Sequence, residues 1–281
     1  MDATTSTFLA ILKAALSNGK AELNREISPE EWQRLFHLAN IHSLLPMFYE
    51  AVYSSASLQK NLPFLAMGKH QAMQQVVTQT MRTNAFLELN QRFHAAGLRP
   101  LVVKGIICRN LYPHPDHRPS SDEDVLIPPD RFGDYHRILL EYGMQPQNGP
   151  AQLSAAYEVP YRKDGSVLYI ELHKHLFPPE SEAYGHLNRY FEGVFDRAVT
   201  EQIQGHSVCT LCCTDHLFYL ICHAFKHFLH SGFGIRQVCD IILYANQYGS
   251  QVDWMQILDN CRALHAEKFA AALFRIGMKA K

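Results

Sequence analysis

The segment Asp122–Ile127 constrains the fold of this chain most strongly, because acidic residues run directly into apolar ones there. The apolar run, which Pro128 and Pro129 close, predicts a short buried strand. Residues two apart on a strand point to the same face, so the carboxylates of Asp122 and Asp124 are expected side by side. Two anions at that separation repel, and a fold keeps them together only if a cation neutralises them or both are solvated. The pattern therefore predicts either a cation site at a strand end or an exposed acidic loop.

Further strands and helices alternate around this acidic strand. Short β-rich or alternating apolar runs predict strands, longer periodic stretches predict helices, and Pro and Gly mark the boundaries. In chain order the predicted elements are a strand at 101–103, a helix at 106–112, the acidic strand, a helix at 130–142, and two hairpin strands at 157–161 and 168–176. This order predicts an α+β core built on a small mixed sheet.

The regions on both sides of the core have helical periodicity. Ser28 can cap an early helix, and the stretch from Pro63 to Ala96 predicts one long helix that ends at Gly97. From Tyr184 onward the patterns again predict helices. We therefore expect an α+β fold whose core is flanked by N- and C-terminal helical segments, with an N-terminal region at 1–97, a core at 98–180 and a C-terminal region at 181–281.

Composition and charge narrow the classes of protein. The chain has 281 residues, 47% of them hydrophobic and 19% charged, which is enough to bury a core. Its formal net charge of −1 argues against a partner such as long nucleic acid, which needs a basic surface. The N-terminus lacks the positive region of a secretory signal, so the 7 Cys residues are expected as thiols in a bacterial cytoplasm. The best apolar run, Leu217–Cys222, is too short for a membrane span.

A third carboxylate lies on another predicted strand. Within the strand at 168–176, alternation places Tyr169, Glu171, His173 and His175 on one face. If this strand neighbours the acidic strand, Glu171 completes a three-carboxylate cluster that can hold one or two metal ions for phosphoryl or nucleotidyl transfer. Oxygen ligands of this kind suit Mg²⁺, which binds carboxylates together with substrate phosphates.

Candidate phosphate ligands lie close to the acidic strand. Lys104 and Gly105 stand where a strand becomes a helix, a place where backbone N–H groups and the helix dipole receive phosphate. Gly105 permits close backbone approach, and Lys104 or Arg118 can add positive charge against a triphosphate. Because these candidate phosphate ligands lie close to the acidic pair, we favour a functional site over a solvated loop.

Taken together, three segments resemble a known family: Leu101–Gly105, Leu111–Pro113 and Arg118–Ile127. They are similar to the uncharacterised nucleotidyltransferases of the polymerase-beta-like superfamily, whose signature is LKG, then LYP, then RP-SD-D-L. In that superfamily two strand aspartates and a third carboxylate bind Mg²⁺, and the resemblance implies these roles for Asp122, Asp124 and Glu171. The wider superfamily usually has Gly-Ser where this chain has Lys104-Gly105. It usually has an apolar residue at the position of Glu123, which should face away from the metal.

Four residues of the C-terminal region are second-tier candidates. His223 and His227 are four residues apart on a predicted helix, a spacing that can serve one metal but more often gives a packed histidine pair. Arg236 and Asp240 have the same spacing, which usually gives a helix ion pair. The similar nucleotidyltransferases tend to carry such positions after the core, which implies that these residues close over the nucleotide.

Other residues offer metal sites of a different kind. Cys209 and Cys212 form a CxxC pattern with His206 just before it, but no second ligand pair at zinc-site spacing accompanies them, so we interpret them as buried thiols. His173 and His175 could join Asp122 and Asp124 as metal ligands of a hydrolase. The other interpretation, that His173 supports the carboxylates by a hydrogen bond, is favoured because Mg²⁺ prefers oxygen.

The sequence thus predicts a Mg²⁺-dependent nucleotidyltransferase, with Mn²⁺ as an alternative metal, that transfers a nucleoside monophosphate, in the first instance AMP from ATP, to a hydroxyl of a small-molecule or protein acceptor. Lys104, Gly105, Arg118, His223, His227, Arg236 and Asp240 are its candidate nucleotide-binding residues. Two alternatives stay open. One is a phosphohydrolase that uses Mn²⁺, Fe²⁺ or Zn²⁺, and the other is a degenerate nucleotide-binding or partner-binding module.

Overall fold

The structure is a computed structural model that describes residues 2–230 and 232–279. Its α-helices, α1 to α12 in chain order, are Ala3–Leu16, Pro29–Ile41, Leu45–Val52, Ala56–Gln59, Leu62–Ala95, Gly105–Arg109, Phe132–Glu141, Pro150–Ala155, Cys213–His230, Ile235–Tyr248, Trp254–Ala263 and Glu267–Lys279. Its strands, β1 to β7, are Leu101–Val102, Glu123–Leu126, Gln145–Pro146, Glu158–Arg162, Tyr169–His173, Val199–Ile203 and His206–Thr210. Short 3-10 helices lie at Pro115–His117, Pro129–Arg131 and Gly185–Phe191.

A five-stranded mixed sheet forms the centre of the molecule, in the order β1-β2-β5-β4-β3. The acidic strand β2 runs parallel to β5, and the other neighbouring pairs are antiparallel. The helices before and after this sheet surround it, so the predicted α+β fold with a small mixed sheet and helical flanks is confirmed. Within the described residues, none of the helices has both the length and the apolar character of a membrane span.

The register of the sheet brings the predicted carboxylates together. Asp124 on β2 pairs with Glu171 on β5, and Glu158 on β4 pairs with His173 on β5. Because paired residues in adjacent strands share a face, these side chains lie on one side of the sheet. The predicted neighbourhood of the acidic strand and the strand of Glu171 is therefore correct.

The opposite side of the sheet is apolar and holds the larger hydrophobic core. Val125, Ile170 and Leu172 are fully buried there. The second half of the long helix α5, the helix α7 and the C-terminal helices contribute to the same core, which extends from Phe86 to Leu273. A second core, centred on Trp32 and residues of α1 to α3, lies in the N-terminal region.

A buried ion pair fixes the acidic strand against α6. Glu123 points to the apolar side of the sheet, where its carboxylate forms an ion pair with Arg109 and accepts a hydrogen bond from the N–H of Ile106 at 2.8 Å. Arg109 also donates to Oγ of Ser120 at 2.6 Å. Both charged residues are almost fully buried, and removing one partner of such a pair leaves an uncompensated charge. This contact therefore determines where the strand and the Lys104–Gly105 turn lie.

The elements depart from the sequence predictions in several places. The helix predicted at 106–112 ends at Arg109, and the short elements β3 and α8 were not predicted. The chain after Tyr184 was expected to be helical, but Val199–Ile203 and His206–Thr210 form an antiparallel hairpin. Its turn places Gln204 and Gly205 at φ of 51° and 80°, the conformation that a tight hairpin turn requires. In addition, β5 ends at His173, so the predicted strand to residue 176 is too long.

We predict that Gly105→Ala destabilises the protein far more than Gly97→Ala. Both glycines have positive φ, 42° and 71°, which costs an alanine about 1–2 kcal/mol. A Cβ at Gly105 would lie 1.9 Å from Oε2 of Glu123, whereas at Gly97 it would meet nothing within 4 Å. Gly105→Ala should therefore cost at least roughly 3 kcal/mol, because the buried ion pair must move. Urea unfolding measures both, and equal losses would contradict the role assigned to Glu123.

Candidate metal and nucleotide site

The polar side of the sheet carries a compact group of potential metal ligands. Asp124, Glu171 and His173 each offer a ligand atom, and these atoms lie within 4.8 Å of one another. Nε2 of His173 is 3.3 Å from Oδ1 of Asp124 and 3.8 Å from Oε2 of Glu171. Asp124 is buried, which rules out the interpretation of this residue as part of a solvated acidic loop.

Asp122 stands beside this group without being part of the compact triad. It lines the same cleft as Asp124, and its charge is close enough to help raise the pKa of Glu171. The predicted set of Asp122, Asp124 and Glu171 is thus brought to one region, with His173 added to it. The exposed His175 follows the end of β5 and does not join the triad.

Lys104 neutralises part of the negative charge. Its Nζ lies 3.0 Å from Oδ1 of Asp124 and donates a hydrogen bond of 3.0 Å to Nε2 of His223. An ammonium group can only donate, so this Nε2 must carry a lone pair. Burial, followed by the charge of Lys104, holds the pKa of His223 well below its usual value, which keeps the ring neutral.

The two carboxylates of the triad have opposite pKa shifts. Burial opposes ionisation of Asp124, but the Lys104 ammonium and then His173 hold the pKa of Asp124 well below its usual range. Burial, and next the charges of Asp124, Asp122 and Glu158, raise the pKa of Glu171 to about 7. Several carboxylates therefore lie close together, and the pKa of one of them is near 7. A cation bound among them would stabilise their ionised forms.

Arg118 is held by a buried cluster that reaches into the C-terminal region. Its Nε and Nη2 donate to the two oxygens of Asp240 at 2.7 and 2.6 Å, and the hydroxyl of Tyr112 donates to Asp240 at 2.7 Å. The remaining nitrogen of Arg118, Nη1, is buried without a hydrogen-bond partner among the described residues. Arg118 lines the cleft of Asp122 and Asp124, so this nitrogen is an unused donor at the site.

Arg236 adds a second guanidinium to the cleft. It donates to the carbonyl oxygen of Pro119 and does not form the usual helix ion pair with Asp240, because Asp240 is bound to Arg118. Burial, and next the neighbouring Arg118, lower the pKa of Arg236. Two guanidinium groups that repel each other favour an anion between them.

The other predicted binding residues occupy different places. His223 lines the cleft, and its ring packs against that of His227 with centroids 4.6 Å apart, so His227 lies behind it. Gly105 also lines the cleft. The backbone N–H of Ile106, which the sequence would offer to phosphate, is already hydrogen-bonded to Glu123, which corrects the expected use of this helix N-terminus.

The CxxC segment lies away from the carboxylates. Cys209 belongs to β7, whereas Cys212 immediately precedes α9. All of the cysteines lie among the described residues and are free thiols, of which Cys212 and Cys213 are half-buried and the others are buried.

Sequence reasoning missed Tyr112 and Glu158. It named His173 as a possible metal ligand but favoured a supporting role for it, whereas the structure groups His173 with Asp124 and Glu171. Tyr112 belongs to the LYP part of the family signature, which could have marked it as a candidate. Its partner Asp240 lies 128 positions away, so the contact itself could not be predicted. Glu158 faces Nδ1 of His173 at 3.6 Å because β4 and β5 pair in one register. That register depends on the turn between the two strands, which the sequence alone does not specify.

The residues present fit a divalent metal and a phosphate group. Two carboxylates and an imidazole whose nitrogens have no hydrogen-bond partner among the described residues are suitable metal ligands. Lys104, Arg118 and Arg236 bring positive charge to the adjoining cleft that Asp122 and Asp124 line, where phosphate oxygens can be bound.

Comparison with protein families agrees with this chemistry. The model of a family described as uncharacterised nucleotidyltransferase matches residues 28–277. The chain belongs to this family. The match extends from α2 to α12, so it includes the sheet, the candidate site and both helical flanks, and the resemblance inferred from the three sequence segments is confirmed.

Similarity to solved structures is weak, and proteins of curated function do not match. A crystal structure described as an antigenic nucleotidyltransferase-like protein from Paracoccidioides brasiliensis has 15% sequence identity, covers 72% of this chain and 93% of that chain, and superposes with a TM-score of 0.44. These values are too low to support a conclusion about this chain.

We predict that Glu171 makes the metal-free protein less stable as the pH rises. Its pKa is raised from 4.5 to about 7, so between these values the folded protein keeps a proton that the unfolded chain releases. The free energy of unfolding should therefore fall across this window, by at most about 3 kcal/mol from this residue. Glu171→Gln should lack the fall, whereas the exposed control Glu182→Gln should retain it. Urea unfolding in EDTA at several pH values provides the measurement, and parallel curves for wild type and Glu171→Gln would be the contrary result.

Proposed function

We propose that the protein is a divalent-metal-dependent nucleotidyltransferase that transfers a nucleoside monophosphate from a nucleoside triphosphate to an acceptor hydroxyl. ATP is the proposed donor and Mg²⁺ the proposed physiological metal, with Mn²⁺ as its substitute. The acceptor is proposed to be a small molecule or a protein. Membership of the nucleotidyltransferase family supports the general reaction.

One observation carries this proposal. A single cleft is lined by the carboxylates of Asp122 and Asp124 and by the cations of Lys104, Arg118 and Arg236. A nucleoside triphosphate needs groups of both signs, because its phosphates are anionic while its metal ion must be held by carboxylates. Nη1 of Arg118, which is buried without a hydrogen-bond partner among the described residues, is a further donor available to a phosphate oxygen.

The phosphates are proposed to lie along the cationic wall. The cleft encloses about 50 Å³, which is far below the roughly 300 Å³ or more of a site that surrounds a whole ligand. It therefore suits phosphate groups, with the nucleoside at its mouth. In this proposal Nη1 of Arg118 and the Arg236 guanidinium donate to the leaving pyrophosphate, and Lys104, which lies 3.0 Å from Asp124, donates to a phosphate nearer that residue.

The reaction joins the acceptor oxygen to the α-phosphorus and breaks the bond to pyrophosphate. Asp122 and Asp124 would hold the metal, which when bound supplies positive charge for the phosphate oxygens. Lys104 and Arg118 stabilise the negative charge that develops on the departing pyrophosphate. Glu171, with a pKa of about 7, is the candidate to receive the proton of the acceptor hydroxyl or to hold a second cation.

We predict that Asp124→Asn and Asp122→Asn each abolish metal-dependent transfer. The loss should be at least about a hundredfold, because each amide removes a charge that holds the metal. Transfer is measured with NTPs labelled at the α-phosphate, incubated with extract so that the labelled product can be identified. Asp164→Asn, in an exposed turn, is the matched control and should retain wild-type activity.

The same assay separates the alternatives. A labelled acceptor that depends on Asp122 and Asp124 supports the proposal. Release of nucleoside monophosphate without any acceptor would instead indicate a phosphohydrolase, and nucleotide binding without turnover would indicate a binding module. Full activity of either aspartate variant would overturn the proposed role of this cleft.

We also predict that Arg118→Lys weakens binding of inorganic triphosphate about ten- to a hundredfold, as expected for the loss of a hydrogen bond to a charged group. A lysine cannot bind Asp240 through two nitrogens and still present a third donor to the cleft. Isothermal titration calorimetry measures the affinity without requiring turnover. The control is Arg137→Lys on the exposed face of α7, and unchanged binding by Arg118→Lys would place the phosphates elsewhere.

A further inference from the structure

His173 distinguishes this metal site from a purely carboxylate one. Its side chain is only 6% exposed, yet among the described residues neither ring nitrogen has a hydrogen-bond partner. Burial of an imidazole without hydrogen bonds is costly, so its nitrogens call for a partner such as a water or a metal ion.

The two ring nitrogens of His173 face different carboxylates. Nε2 faces Oδ1 of Asp124 at 3.3 Å and Oε2 of Glu171 at 3.8 Å, whereas Nδ1 faces Oε2 of Glu158 at 3.6 Å. A carboxylate beside one nitrogen of a metal-binding histidine favours the proton there and leaves the other nitrogen as the ligand. Glu158 is placed for this task by the pairing of β4 with β5.

Carboxylates gather around His173 even though Lys104 lies against Asp124 and the charge of Arg236 acts on Asp122. Lys104 contributes one ammonium group, which lies against Asp124. Against it stand the carboxylates of Asp122, Asp124, Glu158 and Glu171. A divalent ion bound at Nε2 of His173 would bring two positive charges to these carboxylates.

We propose that Asp124, Glu171 and Nε2 of His173 form a mixed oxygen and nitrogen site for a divalent first-row transition metal, with Glu158 as the residue that orients His173. The inference rests on the proposed function in placing a catalytic cation among these carboxylates. It goes further by assigning a nitrogen ligand, which favours a transition metal such as Mn²⁺ over the Mg²⁺ named above, because imidazole suits transition metals whereas Mg²⁺ prefers oxygen alone.

Mn²⁺ is the probe, because it is paramagnetic and accepts both kinds of ligand. Pulsed electron paramagnetic resonance of the full-length protein with one equivalent of Mn²⁺ should show hyperfine coupling to a nitrogen nucleus. His173→Asn should lose the coupling and bind Mn²⁺ at least tenfold more weakly, while its affinity for Mg²⁺ changes less. His175→Asn, whose exposed imidazole lies two residues further on, should keep both the coupling and the affinity.

Glu158→Gln tests the orienting role separately. This variant should keep the nitrogen coupling but bind Mn²⁺ about tenfold more weakly, as expected for loss of an outer carboxylate partner. Thermal unfolding in EDTA shows whether each variant is folded before metal is added. If His173→Asn fails to fold, His173→Gln replaces it, and the coupling in wild type alone decides whether nitrogen binds the metal.

The results distinguish this inference from the proposed function. Bound Mn²⁺ without nitrogen coupling, or an unchanged ratio of Mn²⁺ to Mg²⁺ affinity in His173→Asn, would overturn the mixed site even if nucleotidyl transfer is found. Such an outcome would mean that His173 only balances the carboxylates as an imidazolium. Nitrogen coupling in a protein without transfer activity would support the mixed site and reject the proposed reaction.

Discussion

The buried ion pair between Glu123 and Arg109 is the contact on which the candidate site depends. Glu123 lies between Asp122 and Asp124 in sequence, and its carboxylate is bound on the apolar side of the sheet by Arg109 and the N–H of Ile106. Because side chains alternate along a strand, anchoring Glu123 on one side presents the two aspartates on the other. The same carboxylate leaves no room for a side chain at Gly105, so the turn that carries Lys104 is fixed by the same contact.

The long helix α5 and the C-terminal region complete the cleft around this anchored strand. Gln79 of α5 accepts a hydrogen bond from the N–H of Ser120 at 2.8 Å, which holds the loop that leads into the acidic strand. From the opposite direction, Asp240 of α10 holds Arg118 through two hydrogen bonds. The helical flanks therefore contribute to the site directly, since one of them positions a guanidinium that the sheet alone could not orient.

Much of the fold could be predicted because local patterns of apolar and polar residues specify its strands and helices. The apolar run after Asp124 and the alternation around Glu171 predicted the two parallel strands, and the uninterrupted stretch before Gly97 predicted α5. The hairpin at 199–210 was missed because the turn at Gln204 and Gly205 was not recognised. Exposed residues do alternate with less exposed ones along its first strand.

The details of the site depended on contacts that no local pattern encodes. Alternation placed His173 beside Glu171, but the approach of Glu158 to Nδ1 of His173 follows from the register in which β4 pairs with β5. The spacing of Arg236 and Asp240 predicted a helix ion pair. In the structure Asp240 instead accepts two hydrogen bonds from Arg118, which is 122 positions away in the sequence. A bidentate, buried guanidinium contact prevails over an i,i+4 pair, which contributes only about 0.2–0.5 kcal/mol.

A crystal structure of the protein with Mn²⁺ and a non-hydrolysable nucleoside triphosphate analogue would test the central claim most directly. An anomalous peak for Mn²⁺ is expected at the carboxylates of Asp124 and Glu171, with the phosphates extending from it along Lys104, Arg118 and Arg236. A metal and triphosphate bound at another surface, with this cleft still closed by the contact between Lys104 and Asp124, would contradict it.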